Sequence, residues 1–148
     1  MSINRMLSTA QISASGLAAE RQRMEVIANN IANAHTTRSL SGGPYRRQEM
    51  VFTEAFNKAL SDGKNDPHAL QGVSVKGVEP DSSEFPEVFN PGHPDADENG
   101  MVRMPNIKLP NEMVDLITAS RAYEANLKAL HLFRQMTEQT LSLLRSTT

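Results

Sequence analysis

The chain has 148 residues, of which 39% are hydrophobic and 5% aromatic, with no Trp and no Cys. That length suits one domain of ordinary size or one thin domain with a long insert, and large rigid anchors for a thick core are scarce. Fifteen Lys and Arg against 17 Asp and Glu leave a formal charge of -2, which excludes an overall positive field for nucleic acid or an acidic membrane surface, and the missing cysteines exclude a disulfide framework, a thiolate metal site and a cysteine nucleophile.

In the first turns, Ser8, Thr9, Gln11, Ser13 and Ser15 interrupt any apolar run, so no cleavable secretory leader is expected. No stretch of about 18 apolar residues is present, and direct membrane insertion is not expected. Apolar or small residues then recur in steps of three and four: Ile3, Met6, Ala10, Ser13, Leu17, Met24, Ile27, Ile31 and Ala34, with Glu20 the exception. Such a narrow stripe suits a partner helix more than a broad core face. Gly16 is either a propensity loss inside this helix or a place of close approach. Near its end, Asn29, Asn30 and Asn33 alternate with Ala and Ile. Asn is a poor helix former, so the cluster reads either as polar contacts that fix register between helices or as a self-capping helix end.

All eight prolines and seven of the eight glycines lie between Gly42 and Pro110. Both residue types break helices, so the chain is expected to divide into an N-terminal helix over 1–41, a central insert over 42–110 and a C-terminal helix over 111–148. Within the insert, Tyr45 to Phe52 and Val73 to Val78 read as short strands, pairing as a hairpin across Ser61 to Gln71. Arg46 and Arg47 read as a solvated strand edge. Glu79 to Glu98 holds seven acidic residues, four prolines and no Lys or Arg, the composition of an extended surface segment. Asp95 to Gly100 opens like an EF-hand calcium loop, but its ninth position is Arg103 and its twelfth Asn106, so an Asx-rich turn is the better reading.

After Pro110, Asn111 is placed as the N-cap, with Glu112 and Asp115 favourable in the first turn. The seam resumes through Met113, Leu116, Ser120, Tyr123, Leu127 and Leu130, with Arg121, Glu124 and Asn126 beside it. One aromatic anchor flanked by charge and amide suits an interface. No nucleophile elbow, phosphate loop, dinucleotide fingerprint or H-E-x-x-H motif occurs, and the four histidines are scattered, so no enzyme, cofactor or metal site is expected.

Gly16-Leu17-Ala18-Ala19-Glu20 through Ala28-Asn29-Asn30-Ile31-Ala32-Asn33, the Gly43-Pro44-Tyr45-Arg46 step, Phe89 to Asp97, Met104-Pro105-Asn106, Glu112 to Asp115 and Ser120 to Asn126 resemble the bacterial flagellar basal-body rod proteins of the proximal-rod FlgC type. The resemblance implies terminal helices packed as a coiled-coil hairpin, giving a mainly α fold whose insert has room for a small β-hairpin. It implies a structural subunit that leaves through the flagellar type III export apparatus, joins other rod proteins and copies of itself in the periplasmic rod, and transmits torque. Its ends would then be largely disordered before assembly. On that reading the subunit interface comprises Met6, Leu17, Met24, Ile27, Asn29, Asn30, Ile31, Asn33, Arg121, Tyr123, Glu124, Asn126, Leu127 and Leu130. Two rivals are a non-polymerising helical adaptor or binding module of a type III export system, and a metal-dependent enzyme using the acidic segment.

Overall fold

The computed structural model of the chain describes residues 3–39, 42–55 and 72–146. Two long helices, α1 (Ile3–Ala32) and α2 (Leu109–Ser146), flank four strands in sequence: β1 (Gln48–Ala55), β2 (Gly72–Pro80), β3 (Glu87–Phe89) and β4 (Met101–Arg103). The proposed hairpin connection from Ser61 lies outside the described residues.

Helix α1 stops at Ala32, within the asparagine cluster, and Asn33 shows why. Its backbone N–H is shared between the Asn29 and Asn30 carbonyls at 3.1 and 3.2 Å, and its side-chain Nδ2 donates back to the Asn29 carbonyl at 2.9 Å. An amide that answers the carbonyls of the last turn competes with further helix. Helix α2 begins at Leu109, ahead of the expected N-cap at Asn111. Pro110 is tolerated there because its missing N–H falls in the first turn, where no intrahelical partner exists; the Asn111 and Glu112 amides both reach the Lys108 carbonyl, at 2.9 and 3.1 Å.

The chain forms two compact units. The first gathers Met1–Gln22, Phe52–Lys76 and Ala119–Thr148; the second gathers Arg23–Val51 and Gly77–Thr118. In the first unit, Ala19 and Ala119 are buried. A Cβ on Gly16 would lie 3.0 Å from Asn126 Nδ2, so Gly16 is a point of close approach. Ser15 Oγ donates to the Ile12 carbonyl at 2.8 Å and accepts the Val73 amide at 3.1 Å, which ties the start of β2 to α1. In the second unit, Ile27 and Val102 are the buried hydrophobic residues among those described.

The expected coiled-coil hairpin is corrected by this architecture: the two helices share the chain with two small antiparallel sheets, and among the described residues no coiled-coil pairing is shown. Interlocking seams need large apolar side chains at successive turns. Among the described residues, the most covered helix positions are Ala19, Ile27, Asn30, Glu112 and Ala119, which are mostly small or polar.

β1 pairs with β2 in one sheet and β3 with β4 in the other. β1 begins at Gln48 and not at Tyr45 because the preceding backbone is used elsewhere. The Tyr45 amide donates to the Thr36 carbonyl at 2.9 Å, and the Arg47 amide to Asn106 Oδ1 at 2.8 Å. The acidic segment departs from a purely irregular reading, since β3 and β4 pair Glu87 with Arg103, Val88 with Val102 and Phe89 with Met101. The calcium-like stretch is an Asx turn: Asp97 Oδ1 accepts the amides of Asn99 and Met101 at 2.9 and 2.8 Å.

Candidate functional site

A polar cluster of the second unit forms where the end of α1, the start of β1 and the first turn of α2 meet. Asn30 is buried, with 1% of its surface exposed. Its Nδ2 donates to the Gln48 carbonyl at 2.9 Å and to Glu112 Oε2 at 3.0 Å. Its Oδ1 accepts the Gln48 amide at 3.0 Å and the Tyr45 hydroxyl at 3.3 Å. Two donors and two lone pairs are thereby all engaged, the condition under which a buried amide stabilises rather than weakens its surroundings. Towards Gln48 the carboxamide behaves as a neighbouring strand would, answering both backbone groups of one residue.

Glu112 is likewise 1% exposed. Its placement in the first turn of α2 sets the carboxylate against the positive end of the helix dipole, and Arg47 Nε donates to its Oε1 at 2.5 Å. Arg47 also meets Glu49 through Nη1, Asp81 at 3.4 Å and Asp115 at 3.9 Å. Burial works against the Arg47 charge, but hydrogen bonds to Glu112 and Glu49 outweigh it and hold the guanidinium well above its ordinary pKa. Burial, with the negative charge of Glu112 second, pushes the Tyr45 hydroxyl above its usual value of 10.0. Asp81 is held below the ordinary carboxylate value chiefly by the Ser83 backbone amide, then by the Ser83 hydroxyl and Arg47.

Arg47 is therefore an organising cation, not the solvated edge expected of it, because its side chain is only 19% exposed and several carboxylates converge on it. Its neighbour Arg46 also turns inward. Its Nη1 donates to the Asp81 and Ser83 carbonyls at 2.7 and 3.0 Å, and its guanidinium lies 4.1 Å from the Phe85 ring centre. Arg47, Asp81, Asn106 and Glu112 all escaped the sequence reading as a site. The available signal was an acidic residue two positions after Pro110, in the first turn of α2.

Of the expected interface residues, Ile27 and Asn30 are buried, while Leu17, Met24, Ile31, Asn33, Tyr123, Asn126 and Leu130 are half-buried. Asn29, Arg121, Glu124 and Leu127 are exposed. The Met6 side chain lies outside the described residues. Asn30 is drawn into the cluster above, Asn33 into the helix end; Asn29 supplies its backbone carbonyl to that end while its side chain faces outward. The cluster has hydrogen-bond donors and acceptors matched within itself, which fits it to hold three elements in register. Among the described residues, no group of three or more His, Asp or Glu side chains is placed to hold a metal ion, and no helix is long and apolar enough to cross a membrane.

Comparison with known proteins adds the family. Residues 11–38 match the model described as flagella basal body rod protein, and residues 98–143 match the flagellar basal body rod FlgEFG protein C-terminal model. Asn30 falls in the first match and Glu112 in the second. The chain is similar to the flagellar basal-body rod protein FlgC of Borreliella burgdorferi, at 40% identity over 95% of this chain and 98% of that protein. It is 38% identical to FlgC of Yersinia enterocolitica over 93% of this chain and 97% of the relative, and 38% identical to FlgC of Bacillus subtilis over 89% and 93%. Identity of this level along nearly the full length of both chains establishes that the protein belongs to the FlgC family of flagellar basal-body rod proteins.

Proposed function

We propose that the chain is a non-catalytic structural subunit of the flagellar basal-body rod, exported by the flagellar type III apparatus, which assembles through its terminal helices with other rod proteins and with copies of itself and so carries torque. The supporting observation is the surface of α2. Val114, Ile117, Leu132, Met136, Leu141 and Leu143 are each more than half exposed. Side chains of this size, repeated along one helix, leave water most favourably against another protein. Within the second unit, the cluster of Asn30, Arg47 and Glu112 holds α1, β1 and α2 in a fixed register, which is what a load-carrying part requires. Asn29, Arg121, Glu124 and Leu127 stand outward and join the candidate contact residues.

The test is incorporation. A strain lacking this protein, supplied with a tagged copy, should regain motility and yield purified basal bodies that contain the tagged chain. Complete rods in the deleted strain, with the tagged chain absent from basal bodies, would overturn the proposal.

A further inference from the structure

We infer that an arginine-lined groove in the second unit receives the acidic 79–98 segment of a second copy of this chain. The inference rests on the reading of the chain as a self-assembling subunit. The groove has a volume of about 850 Å³, and Arg38, Arg46 and Arg103 line it beside Tyr45 and Phe85, with no carboxylate among its described walls. Phe85 carries two of these cations, Arg46 at 4.1 Å and Arg103 at 5.7 Å from the ring centre. Guanidinium groups held over an aromatic face lose less freedom on binding than unsupported ones.

Among the described residues, two of the three cations have no carboxylate closer than 3.8 Å. The Arg38 side chain is 82% exposed, with its nearest carboxylate, Asp95, at 3.9 Å; Arg103 is 65% exposed, with Glu87 at 3.8 Å. Both distances exceed a charge-assisted hydrogen bond of about 2.8 Å. A carboxylate arriving from outside can therefore bind them more tightly than the ones already nearby.

The occupant is chosen by charge. Residues 79–98 hold seven carboxylates and no Lys or Arg, so in a chain of nearly balanced charge the acidic side is concentrated in one segment. Glu84 and Glu98 within it are exposed and form no ion pair among the described residues. A basic groove and an acidic segment on the same molecule are complementary between copies, and such a contact sets orientation and rate of encounter.

Sedimentation of the full chain at low and high salt tests this. Self-association should weaken by about tenfold or more between roughly 50 and 500 mM salt, as screening shortens the reach of the charges. Arg38→Glu with Arg103→Glu, and separately Glu84→Lys with Glu98→Lys, should each abolish self-association while leaving the circular dichroism unchanged; mixing the two should restore it. If the Glu pair unfolds the chain, Arg38→Gln with Arg103→Gln should still weaken association by about tenfold. A mixture that fails to associate, or variants that associate like the parent, overturns the inference, as does a parent chain that stays monomeric. A chain that enters basal bodies normally under any of those outcomes leaves the rod reading standing. Variants that self-associate normally but no longer enter basal bodies assign the groove to an acidic segment of another protein and overturn the second-copy contact.

Discussion

The carboxamide of Asn30 binds both backbone groups of Gln48, donating to its carbonyl at 2.9 Å and accepting from its amide at 3.0 Å. A side chain from a helix thus closes the first rung of a strand, and its remaining donor reaches the buried Glu112 carboxylate. The same three residues link two segments that lie 82 positions apart in sequence, so loss of the amide is felt in α1, β1 and α2 together.

Asn30→Ala should destabilise the chain by about 2–4 kcal/mol, because it leaves the Gln48 backbone and one Glu112 oxygen without their partner in a buried place. Asn30→Asp should do at least as much harm at neutral pH, since it replaces a donor by a second negative charge beside Glu112. Urea unfolding followed by circular dichroism reads both. Equal midpoints for the parent and Asn30→Ala would show that the amide is not structural.

Removal of one partner of the buried ion pair should be costlier than removal of both. Arg47→Met strands the Glu112 charge in a side chain that is only 1% exposed, for an expected loss of about 2–4 kcal/mol, whereas Arg47→Met with Glu112→Gln should recover part of it. A double-mutant cycle should give a coupling of about 1–3 kcal/mol. Additive losses would mean that the two groups do not sense each other.

The pH dependence has two limbs of opposite sign. Asp81 has a depressed folded value, set first by the Ser83 amide. Its contribution is present above the ordinary carboxylate range near 4 and is lost as pH falls through the depressed value. Tyr45 has a raised folded value, set first by burial and then by the Glu112 charge. Its contribution is complete below a pH of about 10 and is lost as pH rises through the raised value. Asp81→Asn should flatten the acid limb of a stability profile and Tyr45→Phe the alkaline limb; profiles unchanged by both substitutions would contradict these assignments.

Gly100 sits at a positive φ of 74° at the entrance to β4. A Cβ there would also meet Phe89 Cε2 at 3.0 Å and Pro91 Cβ at 3.1 Å. Gly100→Ala should therefore cost about 1–3 kcal/mol through backbone strain and the displaced ring. Its chemical-shift changes should be confined to the segment around β3 and β4. An Ala variant as stable as the parent would contradict the tight packing at this turn.

The long helices were legible because prolines and all but one glycine avoid the ends of the chain. β1 and β2 were legible from their Val and Phe content, to within a few residues. The phase of the covered helix face was harder. Met113 and Leu127 look like seam residues but are exposed, whereas Glu112 and Asn126 are more covered than either. A polar side chain with matched partners can occupy an inward position, and apolar periodicity cannot anticipate those partners. β3 and β4 escaped notice because strands of three residues in an acidic, Pro-rich stretch carry almost no periodic signal. The Asn30 cluster was half visible: three asparagines in five positions pointed to specific hydrogen bonding, but not to Gln48, Tyr45 and Glu112 as its partners.

The chain contains no cysteine, so a single introduced thiol reports unambiguously on the outer face of α2. Leu132→Cys and Met136→Cys, at side chains 60% and 51% exposed, should react rapidly with a maleimide in the free chain. In purified basal bodies containing the same variants, both sites should be protected by neighbouring subunits. Equal labelling of the free and the incorporated chain at both sites would contradict the claim that this apolar surface is completed by assembly.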